Sequence, residues 1–471
     1  MNRETITPAD FKATEKVGRW SARLGFLSGA VTFALWFFSS EPTLRRPAIL
    51  VALACAMLSV VGIALHQRKL GGRQPFHAVA AAEFTGTTQD AERGWSNSEL
   101  TPIPRRIPSR RQQLWRSFAG VVGVWSILVG LISMAWGSPQ RPALVEQIHS
   151  AGAVFAKVQV AKVSDVRFHN PSRGKSYYTA KTVVELPDAK GGEPVPATVT
   201  TKSPDRLTSG DRVSVLYAST QPQLGAVAGD KDDLEDELRG AALPVRLVWL
   251  LLTGWGIGLC VIVVLGYIER GFRSFSRLRS SDSAIRGRIL RVAQFHHTPS
   301  EPGKSASKSQ SLVVETAVGN VHFLVSITER DMPDSMKGEQ VWLCWDGRRG
   351  TGGMRFSPRV TPAVLISDQD WVMHGMLTVD EGRLLADGGI PVHKLSGEAE
   401  EGRKLRTWDP HSKWSLYVSP LTLGLLALII AGAGLMTFDV SSGWRWTVGI
   451  AGPLASALLA GSYVMDTKPS Q

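Results

Sequence analysis

Two tripeptides, Gly174-Lys175-Ser176 and Gly303-Lys304-Ser305, carry the residue types of a phosphate cradle, in which backbone amides, a lysine and a hydroxyl gather around an anion. The P-loop signature also needs a glycine five residues before the first of these glycines, and those positions hold His169 and Thr298. Both words are therefore read as polar hairpin tips. His296, His297, His322 and Cys344 are of zinc-binding types, but their spacing matches no ligand pattern, and adjacent histidines on an extended strand point to opposite faces. Solvated loop histidines and a buried free cysteine are the plainer reading. Asp230, Asp232, Asp233, Glu235, Asp236 and Glu237 have the charge for calcium, yet an EF-hand loop starting at Asp230 needs glycine where Glu235 stands and glutamate where Ala241 stands. An acidic helix start is expected instead. Neither HExxH nor GxSxG occurs, and Asp331, Asp334, Asp368 and Asp370 form no local constellation. Cys55, Cys260 and Cys344 have neither disulfide nor ligand spacing. No catalytic, cofactor or metal residue is assigned, and the chain is read as non-enzymatic.

The elements that would position any such chemistry are mostly membrane helices. Over 471 residues the mean hydropathy is −0.01, but this averages two populations, because the apolar residues are gathered into six uncharged runs. These are Leu24 to Ser40, Pro47 to Leu65, Ser117 to Gly137, Leu247 to Ile268, Trp414 to Phe438 and Trp446 to Met465. Each approaches the roughly 20 residues that cross about 30 Å of hydrocarbon. Trp20, Trp36, Trp115, Trp136, Trp249, Trp414, Trp444 and Trp446 lie near run ends, where indoles suit the headgroup layer. The first run follows Arg19 and Arg23 but lacks a small-x-small cleavage site, which makes it an uncleaved signal anchor.

Basic residues orient the spans. The segment 1–23, the loop 66–116 and the segment 269–413 are rich in Lys and Arg beside the spans, so they and the tail 466–471 are placed in the cytoplasm, with 141–246 outside. Spans 24–65 and 414–465 then form hairpins, spans 117–137 and 247–268 stand alone, and both termini are cytoplasmic in the cell membrane. The net charge of +12 is thereby mainly juxtamembrane, and nucleic acid is excluded as a partner. Arg105, Arg106, Arg110, Arg111 and Arg116, interleaved with prolines in a partly disordered loop, are read as a flexible arm contacting anionic headgroups. Arg270, Arg273, Arg277 and Arg279 alternate with Phe272, Phe275 and Leu278 as in an interfacial helix. Gly25-x-x-x-Gly29 and Gly254-x-x-x-Gly258 permit close helix packing, within the chain or in a homodimer. The spans carry hydroxyls and thiols but no ionisable group, which argues against charge-coupled transport.

Between the spans the pattern changes to period two. The outside segment offers strands at Val154 to Val163, Tyr177 to Leu186, Pro196 to Thr201 and Arg212 to Tyr217. The inside segment repeats the order at Ala284 to Ala293, Ser311 to Thr316, Val321 to Ile327 and Gln340 to Trp345. Local words match as well: Val183-Val-Glu185 with Val313-Val-Glu315, and Gly210-Asp-Arg-Val-Ser-Val-Leu-Tyr217 with Gly338-Glu-Gln-Val-Trp-Leu-Cys-Trp345. An internal duplication is the expected account of both, with convergence of two small barrels on the same turn chemistry as the alternative.

The motif G-x-x-V-x-V-x-Y at 210–217, followed by Pro222 and Ala226, resembles the membrane-tethered β-domains of unknown function in many bacterial multi-pass proteins. The resemblance covers about residues 150–230 and implies an architecture, with no chemistry or functional residues attached. The expectation is an α-helical membrane protein of six spans with two small, mostly antiparallel β-domains, barrel or sandwich, one on each side. Its expected role is interaction, scaffolding or signal relay with envelope partners. A permease for an uncharged solute and an enzyme with an unrecognised site remain the alternatives.

Overall fold

The structure, a computed structural model, describes residues 8–76, 78–82, 103, 106–170, 176–188, 193–270, 275–296, 308–325, 336–346, 360–395 and 405–466. Four helices are long and apolar enough to cross a membrane: α1 (Pro8–Phe38, from Lys16 onward), α2 (Pro42–Lys69), α3 (Arg111–Trp136) and α6 (Val245–Arg270, as far as Val264). Between α3 and α6 lie the short helices α4 (Ala143–Ser150) and α5 (Lys231–Arg239).

The fifth apolar run departs from expectation. It is not one helix from Trp414 to Phe438: a short helix α8 (Trp414–Tyr417) is followed by α9 (Pro420–Met436), and the two, with the 3-10 turn before them, are bent by 79°. Pro420 is the cause. The residue before a proline is driven out of the helical region, and Ser419 sits at ψ 154°, where its hydroxyl accepts the Thr422 N–H as the cap of α9. The remaining 17 residues of α9 reach only about 26 Å at 1.5 Å per residue. The last run forms α10 (Ser442–Asp466), which carries Pro453 and packs on α3 and α9.

The first β-domain contains β1 (Ala153–His169), β2 (Tyr177–Leu186), β3 (Val195–Ser203), β4 (Arg212–Ala218) and β5 (Ala226–Ala228) in the order β3-β2-β1-β4-β5, every pair antiparallel. The long β1 serves both halves: Ala153 to Gln159 pair with β4, and Val160 to His169 pair with β2. A bulge between Val160 and Lys162 marks the handover and curls the sheet. Val158, Val160, Val184, Val199, Val215 and Tyr217 fill the concave side. On the other face of β4, Leu216 and Ala218 meet Val145 and Ile148 of α4 and Leu234 of α5.

The second domain is a closed barrel. Its strands are β6 (Ser283–His296), β7 (Lys308–Thr316), β8 (Gly319–Leu324), β9 (Gln340–Trp345), β10 (Val360–Ser367) and β11 (Trp371–Thr378), hydrogen-bonded in the ring β10-β9-β6-β7-β8-β11-β10. Short β12 (Ile390–Pro391) adds to β6, β13 (Arg406–Thr407) adds to β11, and α7 (Val379–Ala386) starts with a capping box between Thr378 and Glu381. The hairpin β10–β11, which closes the ring, is absent from the sequence-based strand set. Both of its faces are buried, so the alternation that reveals a half-buried strand is missing.

The two domains share a pairing register. Val160 pairs with Val184 and Ile289 with Val314; a bulge follows each, after which Lys162 faces Val183 and Arg291 faces Val313. Val154 pairs with Tyr217 where Ser283 pairs with Trp345, and Tyr217 with Ala226 where Trp345 pairs with Ala363. Gly210 donates to the Val160 carbonyl and Gly338 to that of Ile289, both at 2.8 Å. These glycines have φ of 99° and 88°, a region L side chains rarely adopt, which is why each strand entry begins with one.

Candidate functional site

The domains attach to opposite ends of the helices. At one end meet the α1–α2 turn, the end of α3 and the entry to α6. Arg45, 2% exposed, draws them together, its guanidinium donating to the carbonyls of Ser39 (3.2 Å), Gly240 (2.9 Å), Ser138 (3.4 Å) and Pro139 (2.5 Å). Trp36 lies beside the same cation at 5.7 Å. Gly240, at φ 73°, ends α5, and a Cβ there would meet Pro42 at 2.9 Å. The first β-domain follows directly from this end, between α4 and α5. In α5, Lys231 and Arg239 both pair with Glu235, and Asp236 accepts the Val245 N–H that begins α6. The acidic run thus builds a helix start. Burial, reinforced by Asp233, pushes the Glu237 carboxyl upward.

The other end holds the second domain. Gln67 of α2 donates to the carbonyls of Ser415 and Val418, Arg73 to that of Tyr417, and Gln113 of α3 to that of Trp408. Arg116 pairs with Asp409. The bend before α9 is therefore gripped by α2 and α3, and Phe76 and Ala80 dock into the barrel core beside Trp408 and Tyr417.

Here the apolar residues of the two arginine-bearing segments prove to be packed against protein. Ile103 and Ile107, from the expected flexible arm, and Phe275 and Leu278, from the expected interfacial helix, are buried together on the outer face of the barrel against Trp342, Cys344, Val364, Ile366 and Val372. Residues 106 and 277 form an antiparallel bridge, and the Ile107 N–H donates to the Ser276 carbonyl at 3.4 Å. The apolar residues spaced between arginines face protein, because β9, β10 and β11 present a second apolar surface outside the barrel. Residues 275–282 are not helical; α6 ends at Arg270. Arg110 is buried, Arg116 is engaged by Asp409, and Arg106, Arg111, Arg277 and Arg279 are exposed. Arg105 and Arg273 lie outside the described residues, as does the side chain of Arg270.

His374, on β11, fastens the strap formed by residues 106–110, with Nε2 at 2.9 Å from the Pro108 carbonyl. Burial, and then the Arg110 guanidinium, lower its pKa to about 4, against the opposite pull of that carbonyl. Beneath it, burial and the neighbouring Asp282 push the Cys344 thiol far up, which removes it as a nucleophile. Arg286 lies over Trp342 and clamps the Asp368 carboxylate, while Ser367 donates to Glu339, whose carboxyl burial raises.

Of the expected packing glycines, Gly258 is the one in tight contact: a Cβ there would lie 2.5 Å from the Trp125 ring. Trp125 Nε1 donates to the Trp255 carbonyl, and Trp255 Nε1 to Ser126, so α3 and α6 are stitched at this level. Gly25 reaches Ser59 at 3.5 Å, whereas Gly29 and Gly254 have nothing within 4 Å. Sequence reasoning missed Gly449 and Gly452, which bring α10 onto Ala135 and Leu131 at 2.5 and 2.6 Å; their i, i+3 spacing was the available signal.

The remaining candidates separate. Ser176 bonds to Asn170 at the β1–β2 connection, and Gly174, Lys175 and Gly303 to Ser305 lie outside the described residues. His322 is engaged with Ser311, and Cys344 lies in the outer cluster; His297 is outside the described residues. Among the described residues no group of three or more His, Cys, Asp or Glu is placed to hold a metal ion. In comparisons with protein-family models, curated proteins and solved structures, nothing matches this chain.

Proposed function

We propose that the chain is a six-pass membrane protein that presents duplicated β-domains on the two faces of the cell membrane, both termini in the cytoplasm, and works as a non-catalytic scaffold or relay between envelope partners. The observation that carries this reading is the attachment of two register-matched β-domains to opposite ends of one helix bundle. The span is adequate: the 26 residues of α3 extend about 39 Å. Relay is favoured by the continuity between helices and inner barrel, since α3 leads out of one strap and α6 toward the segment that bridges it. Against a permease stand three engaged bundle hydroxyls, while the Thr32 hydroxyl is buried without a hydrogen-bond partner among the described residues. Ser133 donates to the Gly130 carbonyl and Ser456 to that of Gly452, within their own helices, and Ser59 donates to the Ser21 carbonyl.

The test uses single cysteines at two exposed positions, Lys181→Cys on β2 and Lys337→Cys in the turn before β9, with the native cysteines replaced by serine. A membrane-impermeant maleimide should label position 181 in intact cells and position 337 after lysis only. Labelling of both in intact cells overturns the two-sided arrangement. Crosslinking from the two positions should then capture different envelope proteins; capture of none from either face removes the scaffold role.

A further inference from the structure

Where the strap runs into α3, the surface opens into a groove of about 620 Å³ lined by Pro108, Ser109, Arg111, Gln112, Trp115 and Thr407. Arg111, Trp115 and Phe118 stand at i, i+4 and i+7, on one face of α3. Trp115 is 57% exposed and Phe118 38%, and their rings meet edge to face at 5.7 Å. That face leads from a guanidinium at the helix start, past an indole, into the apolar body of the helix. The arginines on either side are committed, Arg110 by burial and Arg116 by Asp409, whereas Arg111 is exposed on the groove. The hydroxyls of Ser109 and Thr407 and the carboxamide of Gln112 line the same groove, donors that suit phosphate oxygens.

We propose that this groove seats one anionic phospholipid, with its phosphodiester against Arg111, Ser109, Gln112 and Thr407 and its acyl chains along Trp115 and Phe118. The proposal rests on the reading of α3 as a membrane span. The source of the phosphate is a lipid, because a soluble anion has no use for the aromatic face that continues below the guanidinium. A lipid seated here touches the strap, α3 and β13 together, so it binds the docked arrangement and stabilises it by linkage.

The full-length protein is delipidated in detergent and reconstituted in nanodiscs of phosphatidylcholine, with or without phosphatidylglycerol, and retained lipid is counted by native mass spectrometry. Wild type should retain phosphatidylglycerol over phosphatidylcholine. Arg111→Glu should lose about tenfold of that preference, the scale of one charged hydrogen bond, and Arg111→Lys should keep part of it. Trp115→Ala should weaken retention of both lipids alike. Unfolding temperatures in phosphatidylcholine check that the variants fold, and Ser109→Ala with Thr407→Val provides a second, uncharged variant that should also lower the preference. Equal retention of the two lipids by wild type, or unchanged preference in both the Arg111→Glu and the double variant, overturns the proposal. Displacement of phosphatidylglycerol by inorganic phosphate does so too, by making this a soluble-anion site. Failure of the span reading is seen earlier and separately, as extraction of the whole chain from membranes by alkaline carbonate.

Discussion

Arg45→Met tests whether the bundle end that carries the first β-domain is held by one buried cation. The substitution keeps an unbranched apolar stem and deletes every donor. Two of the four contacts, to Pro139 at 2.5 Å and Gly240 at 2.9 Å, are short and charge-assisted; those to Ser39 and Ser138 are longer. At about 1.5–3 kcal/mol for each short bond, the gross loss is about 3–6 kcal/mol. Relief from burying a guanidinium returns part of it, which leaves a net cost of about 2–4 kcal/mol. The neighbouring Arg46 is the control: it lies 4.0 Å over the Phe438 ring, a contact worth about 0.5–1 kcal/mol at exposed sites. Thermal and denaturant unfolding of the two variants in detergent gives the comparison, and hydrogen exchange localises it. Arg45→Met should speed exchange at residues 137–141 and 239–242, and Arg46→Met should leave them unchanged. Equal small effects from both variants would refute the clamp and return the pair to the role of topology signals.

Three further outcomes follow from the same geometry. The folded pKa of His374 lies below its ordinary 6.5, so its contribution to stability is fully present above about pH 6.5 and is lost as pH falls toward 4, by about 3 kcal/mol in all; unfolding against pH should steepen in wild type relative to His374→Gln, and parallel curves would contradict the assignment. Gly258→Ala should cost about 1–3 kcal/mol through overpacking against Trp125 while Gly254→Ala, with open space around it, stays within about 0.5 kcal/mol, as read by unfolding in detergent. Ile107→Asp should release the strap, at a cost of about 2–4 kcal/mol in lost burial, and open Arg106, Arg110 and Arg111 to trypsin; unchanged cleavage would mean the strap is not held by this cluster.

Most helices and half-buried strands were legible because their signals are local. An uncharged run reports a lipid-compatible helix, the period-two pattern of β2 gave its observed bounds, and the glycine-led word at 338–345 gave those of β9 although that strand is buried on both faces. The repeated Gly210 and Gly338 words led to the register match, since a positive-φ glycine before a strand is a backbone requirement that sequence displays. Other features failed for an equally physical reason. The hairpin β10–β11 is buried on both faces and shows no alternation. The break at Ser419-Pro420 was hidden inside an apolar run, although proline was the available warning.

The sequence alone determined that the chain has helices fit for a membrane, that two β-domains interrupt them, and which glycine-led words the domains share. These follow from composition and short-range pattern. Tertiary structure alone decided which partners the described arginines and the apolar residues between them meet. Ile103, Ile107, Phe275 and Leu278 match a lipid-facing pattern as well as a protein-facing one, because an apolar side chain carries no record of its partner. The outer face of the barrel chose protein. Arg45 and Arg46 are adjacent and chemically identical, and only the convergence of two distant turns on one of them makes it a buried clamp and leaves the other stacked on a phenylalanine.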